Sequence, residues 1–459
     1  MTVKPPSFIS GFTKAARDPA RSADIVQSAP VAHPAPPEKH RVTLGIIALN
    51  DCAPIVVARE KGFFAKHGLD VRIRRESSWA AIRDKVACGL LDGAQMLAPM
   101  PLAATVGDQH GRAPMVTAFS LGLNGNAITV SNALYQRMAQ ASPEALTERP
   151  ITANALRAVV EQNRAANRPP LRFGVVFPTS THHYELRYWL ASAGIDPDRD
   201  VRLEVIPPPS MVEQLRTGRI DGYCVGEPWN TQAIQQRVGQ ALISKYELWH
   251  NSPEKVLGVT EAWVNRHPRT HLALICALLE ACAWLDEPAN RTVAARLLAK
   301  PPYVGVPEGV IRMSLCGEFA YQADSPPVST PDFNVFHRYQ ANFPWRSHAA
   351  WFLTQMIRWR QVPADLNIRT TAQAVYRPDI YREACDQLGL AYPDVDDKAE
   401  GHNTELWTMP SARGALTMGP DRFFDGRTFD PEEPRTYLRG FQIGACGEPT
   451  DDSSAPQYA

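Results

Sequence analysis

The chain lacks the features that would place it quickly. No run of about 18 apolar residues occurs, so no helical stretch is suited to cross a bilayer. The first thirty residues contain no apolar core of about 7–15 residues, no small-residue cleavage site and no twin arginine. The first cysteine is Cys52, too late for lipid attachment near the start, and the expectation is a cytoplasmic protein. Eight cysteines stand at 52, 88, 224, 276, 282, 316, 385 and 446, none in C-x-x-C spacing. That excludes a zinc or dithiol framework and suits buried thiols in a reducing compartment. Neither sign of charge is in excess: 48 basic residues balance 48 acidic ones. Such a surface is not built to coat nucleic acid or an anionic membrane. A G-x-S-x-G elbow, a phosphate loop and a paired-carboxylate constellation are missing too, so no enzyme chemistry, cofactor or metal is expected.

What is present is an internal repeat. Residues 1–40 are rich in Pro, Ala and Ser and read as a flexible arm, with residues 441–459 as a similar tail. Between them, Leu44-Gly45-Ile46-Ile47 matches Phe173-Gly174-Val175-Val176, short apolar runs typical of buried parallel strands. A helix ending at Gly68 or Gly194 follows, then a second strand and a second helix. Each copy closes alike: "VACGLLDGAQMLAP" lies over "LRTGRIDGYCVGEP", matching Gly89 with Gly218, Asp92 with Asp221 and Pro99 with Pro228. The offset is 129 residues at both ends of the unit. Two β-α-β-α-β copies predict two α/β lobes with mostly parallel sheets around a cleft. The predicted organisation is a first lobe over 41–130, a second over 131–250, and a return to the first over 251–440 with a helical extension packed on it.

In such sheets ligands bind beyond the carboxyl ends of the strands, against helix N-termini. The lips of the cleft are then "ALNDCAP" in one half and "FPTSTHH" in the other. Thr179, Ser180 and Thr181 are good helix caps, and capping explains the hydroxyls fully. It does not explain His182, which in the first turn at a cleft edge suits an anion donor. His182 and His183 point about 100° apart on a helix and cannot both ligate one metal. Trp79, Asn126 and Lys255 add candidates, although each alone also reads blandly: a core aromatic, a turn asparagine, a solvated lysine whose removal leaves the fold intact.

These stretches carry a resemblance. "ALNDCAPIVVAREKGFF", "ESSWAAIRDKVACGLLDGAQMLAPMPLAAT", "LNGNAITVS", "THHYELRYWLASAGIDP", "DGYCVGEPWN" and "PEKVLGVTEAWV" resemble the nitrate- and bicarbonate-binding solute receptors, over about residues 42–440. The resemblance implies a type II periplasmic-binding-protein fold. It also implies a nitrate held by a tryptophan, an amide, a histidine and a lysine, which fall here on Trp79, Asn126, His182 and Lys255, with Thr181 beside them. Asn126 stands where a longer glutamine is expected. Bicarbonate-binding members lack the lysine and use calcium, so Lys255 argues for nitrate or nitrite. A planar monoanion suits one ammonium, an indole face and a few N–H donors. Within the family the chain looks most like the cytoplasmic nitrate/nitrite sensors of bacterial nitrate assimilation (the NasS type). That likeness implies a partner, an RNA-binding antiterminator with an ANTAR domain (the NasT type), released when the anion binds. The alternatives are the binding component of a nitrate/nitrite transporter and, less suited to the scattered cysteines, an enzyme like the thiamin-pyrimidine synthases.

Overall fold

A computed structural model describes residues 35–107 and 111–444. The arm as far as residue 34 and the expected tail from residue 445 lie outside the described residues, whereas Phe441, where that tail was expected to begin, is buried in the core. Ten strands matter: β1 (Arg41–Ile46), β2 (Asp70–Arg75), β3 (Gly93–Leu97), β4 (Met115–Asn124), β5 (Asn126–Ser131), β6 (Leu171–Val175), β7 (Val201–Val205), β8 (Gly222–Gly226), β9 (Gly239–Ser244) and β10 (Pro253–Thr260). They form two sheets. One has the order β4-β10-β3-β1-β2, with the short strand Asn334–Val335 outside β4; the other is β7-β6-β8-β5-β9.

The 129-residue repeat reappears atom by atom. The Asp92 carboxylate accepts from the Thr43 N–H at 2.9 Å, and the Asp221 carboxylate accepts from the Arg172 N–H at 2.7 Å. A Cβ on Gly45 would meet Leu91 and Ile82, and one on Gly174 would meet Met211 and Ile220, the matching positions. Next come Gly93 and Gly222, whose absent side chains let a neighbouring strand approach. A Cβ on Gly93 would stand 2.7 Å from Val259, and one on Gly222 would stand 2.9 Å from the Thr129 carbonyl.

Those neighbours are β10 and β5, and they correct the expectation of mostly parallel sheets. β1 pairs in parallel with β2 and β3, and β6 with β7 and β8. But β10 runs antiparallel to β3 and β4, and β5 antiparallel to β8 and β9. The sheets are mixed because β5 enters its sheet directly from the other lobe, and so does β10. The first crossing falls at Asn124 and Gly125, both with positive φ (63° and 95°). β5 therefore belongs to the second lobe, a few residues before the 130/131 boundary, which an unbroken "NGNAITVS" conceals. The two crossings are stitched together: Asn124 Nδ2 donates to Asn251 Oδ1 at 3.2 Å, and the Asn124 N–H to the Ser252 carbonyl at 3.0 Å.

Two further boundaries move. Glu38 accepts from the N–H groups of Arg269 and Thr270 at the start of the helix Pro268–Asp286, and Lys39 pairs with Asp92 at 2.5 Å. Residues 36–40 thus pack on the first lobe instead of belonging to a free arm. The extension packs on both lobes. Its helices Pro268–Asp286 and Pro288–Leu298 share a core with β1 and β4. The helix Arg346–Arg358 instead shares one with Trp79, Met96, Tyr184 and Tyr188. Tyr184 OH donates to Gln361 at 2.6 Å, Tyr188 OH to Asp425 at 2.9 Å, and Tyr376 OH to the Ala98 carbonyl at 2.9 Å. One strap of chain holds both lobes.

Candidate functional site

The helix Thr181–Ser192 starts in the lip predicted from "FPTSTHH". Ser180 is its cap, accepting from the His183 N–H at 3.1 Å. The two histidines then part company. His183 is consumed structurally: Arg187 Nε donates to its Nε2 at 2.6 Å, and its Nδ1 donates to the Pro178 carbonyl. Burial, with Arg187 adding to it, pushes His183 down to about 3. His182 is fully buried, with its Nε2 lacking a hydrogen-bond partner. Thr181 Oγ1 lies 3.4 Å from His182 Nδ1, and a hydroxyl donating there leaves the ring proton on Nε2. Burial also drives His182 well below its ordinary value, against the pull of Glu254, so the ring is neutral.

Both lobes supply charge. Adjacent strand residues ordinarily face opposite ways, but the pairing of β10 with β4 slips on both sides of Lys255. Such a bulge re-aims a side chain, and Glu254 and Lys255 both enter the same space. Lys255 Nζ contacts Glu254, lies 2.8 Å from Asp51 and sits 5.4 Å from the centre of the Trp79 ring. Glu254 in turn meets His182 Nε2 at 3.5 Å, accepts from Asn126 Nδ2 at 2.7 Å and pairs with Lys245. Lys245 also holds Glu185 at 2.5 Å. Around Asp51, Gln95 donates from β3 while accepting from the Ile47 N–H at 2.8 Å.

Trp79, Asn126, Thr181, His182 and Lys255 are thus brought into one connected cluster. Lys255 departs from expectation in one respect. It is 1% exposed and doubly paired, not a solvated lysine, because the bulge carries it between the lobes. Its removal would strand the Asp51 carboxylate and leave Glu254 to Lys245 alone, so the expected innocence of that change toward the fold is corrected. Glu254, Glu185, Lys245 and Asp51 were not foreseen. Glu185 carried a signal, standing three and four residues beyond His182 and Thr181 on one helix face. Lys245 and Glu254 had none, since a chain crossing and a bulge bring them in.

The electrostatics follow from burial. Burial lifts the carboxyls of Asp51 and Glu185 above their ordinary values, with Lys255 and Lys245 pulling the other way. For Glu254 burial works upward too, but Lys245 and Lys255 together hold it below the usual range. Burial alone would lower Lys255, yet Asp51 and Glu254 keep it above the ordinary lysine value. The ammonium is fixed as a cation. Trp79 Nε1 is buried without a hydrogen-bond partner, and so is His182 Nε2, which stands 3.5 Å from the Glu254 carboxylate. Buried donors left unmade are costly and uncommon. Two of them in one cluster call for an acceptor that the chain itself does not supply. Among the described residues no group of His, Cys, Asp and Glu has the arrangement of a metal site.

The chain is similar to known proteins over most of its length. The model of the NMT1-like family matches residues 35–299. The nitrate/nitrite binding protein NrtA of Synechococcus elongatus is 36% identical over 418 residues, covering 89% of this chain and 88% of that protein. The nitrate import ATP-binding protein NrtC of Synechocystis is 41% identical over 409 residues, 88% of this chain; the chain spans only 56% of it. The bicarbonate-binding protein CmpA of Synechococcus is 31% identical over 425 residues, covering 88% of this chain and 87% of that one. In three dimensions the crystal structure of the periplasmic nitrate-binding protein of Synechocystis superposes with a TM-score of 0.78 at 30% identity, covering 89% of this chain and all of that one. The alkanesulfonate-binding protein SsuA of Xanthomonas axonopodis, at 16% identity and a TM-score of 0.51, shares the fold alone. The chain belongs to the NMT1-like family, with a type II periplasmic-binding-protein fold, and is a homologue of the nitrate/nitrite- and bicarbonate-binding solute receptors.

Proposed function

We propose that this protein binds nitrate or nitrite between its lobes and serves as a cytoplasmic sensor that controls an ANTAR-domain antiterminator. The observation that carries the anion is the pair of orphaned N–H donors, on Trp79 and His182, beside the Lys255 ammonium. A neutral histidine donates without demanding a second negative charge, and one ammonium matches one monoanion. The NrtA relatives, named for nitrate and nitrite, support the same ligand. The sensor role rests on the resemblance of the sequence to such sensors. The seven described cysteines are unpaired thiols, as suits a reducing compartment. In this reading anion binding selects one lobe arrangement and the partner another, so the two compete through linkage. Balanced charge leaves RNA contact to the partner. The second reading, the binding component of a nitrate/nitrite transporter, is favoured by the transport names of the relatives.

Calorimetry with nitrate, nitrite and bicarbonate tests the ligand. Nitrate or nitrite binding that is lost in His182→Ala is expected; binding of bicarbonate alone would reject it. A pull-down from cytosol with and without nitrate tests the role. A partner that leaves on adding nitrate supports the sensor, and capture of membrane transport subunits supports the receptor.

A further inference from the structure

We propose that the anion enters together with one proton, and that Asp51 is the group that receives it. This rests on the reading above, that Lys255 neutralises the anion. The cluster holds three carboxylates, Asp51, Glu185 and Glu254, against two ammoniums, Lys245 and Lys255. His182 is neutral, so with all three carboxylates ionised the cluster carries one negative charge in excess. A monoanion would make it two. At such separations in a buried site, one uncompensated like-charge contact costs on the order of a thousandfold in affinity. One proton taken up with the anion restores the original balance.

Geometry selects Asp51 among the three. It is the carboxylate that shares Lys255 with Glu254, lying 2.8 Å from the ammonium, and so stands where an anion oxygen would be held. Glu254 is fastened by both ammoniums and by the Asn126 amide. Glu185 sits against Lys245, Asn126 and the Cys224 thiol, and its contacts do not include Lys255. Asp51 faces Lys255 and Glu254 from β10, Gln95 from β3, the Cys52 thiol of its own loop, and the Gly226 backbone from β8. Its side chain keeps 13% exposure, a route for a proton that Glu254, at 1%, lacks. The directions of titration agree: burial raises Asp51, while Lys245 and Lys255 hold Glu254 down.

In the step itself, a solvent hydronium or buffer acid gives a proton to an Asp51 carboxylate oxygen, and the Asp51–Lys255 ion pair is lost. The ammonium then turns to the anion, and the new O–H donates to an anion oxygen. No bond of the anion breaks.

The experiment is calorimetric titration of nitrate into the full chain between about pH 5.5 and about pH 8.5, in phosphate and in Tris, whose ionisation heats differ. About one proton absorbed per nitrate is expected, with affinity falling about tenfold per pH unit on the alkaline side. Asp51→Asn is expected to bind without proton uptake and with a flat pH profile. Nitrate binding with buffer-independent heat and a constant Kd would overturn the proton-coupled step and leave anion binding standing. Proton uptake that survives in Asp51→Asn would overturn the role of Asp51. Absence of nitrate and nitrite binding at every pH would overturn the anion-binding reading and this inference with it.

Discussion

The two lips of the cleft occupy matching places in the repeat and use them oppositely. Asp51 is the counterpart of Ser180, 129 residues earlier. Ser180 turns inward and caps its helix, accepting from the His183 N–H. Asp51 leaves the helix Ala53–Glu60 without a side-chain cap and turns to Lys255. Likewise Gln95 on β3 braces Asp51, while its counterpart Cys224 on β8 lies against Glu185. Duplication has preserved the scaffold and diversified the cleft. Positions that let strands approach recur, because a sheet closes in only one way; positions facing the other lobe do not recur, because each faces a different partner. One lip therefore presents charge and the other a neutral donor.

The sharpest way to break this division is Lys255→Ala. Removing one partner of a buried ion pair costs about 3–5 kcal/mol, so denaturant unfolding is expected to show a loss of that order together with loss of nitrate binding. A loss under about 1 kcal/mol would mean that Lys255 is a surface charge after all, and the charged lip would disappear from the comparison.

A second test concerns the preserved scaffold. Gly93→Ala and Gly222→Ala each drive a Cβ to about van der Waals overlap, 2.7 Å from Val259 Cγ1 and 2.7 Å from the Phe173 ring respectively. Overpacking of this kind costs about 1–3 kcal/mol, and the two losses are expected to be similar in thermal or denaturant unfolding. A large cost in one lobe and none in the other would show that the repeat is a likeness of sequence without a shared packing constraint.

The smallest effect near neutrality grows in acid. His183 belongs to one copy only, since its counterpart is Pro54. Its value falls from the ordinary 6.5 to about 3 in the fold, chiefly through burial. Between those values the unfolded chain binds a proton that the folded chain refuses, so stability declines as pH falls from about 6.5 toward 3. His183→Gln, which can donate and accept without titrating, is expected to flatten part of that decline in unfolding curves. An unchanged acid limb would assign it to other groups.

The comparison also shows what could be read early. Asp92 and Asp221 stand out in the sequence because each follows a glycine turn and precedes a glycine, and both prove to clamp a neighbouring strand. His182 stood out because capping left it unexplained, and the structure leaves its Nε2 unpartnered. The direction of β5 and β10 was not legible, since a strand carries no mark of the lobe it came from. Nor was the strap formed by residues 346–444, whose aromatic residues fit either lobe equally well as sequence.

The lip residues Trp79, Asn126, Thr181, His182 and Lys255 were drawn together by the resemblance to the receptors, and local spacing alone determined two similar lobes and the glycines that recur in both. These depend on periods of two and 3.6 residues and on turn chemistry, which act over a few neighbours. Tertiary structure decided the charge of the cleft. Glu185 and Lys245 come from the second lobe, while Asp51 and the bulged Glu254–Lys255 pair come from the first. Their protonation is settled by burial and by partners as much as 200 residues away, which no local pattern records.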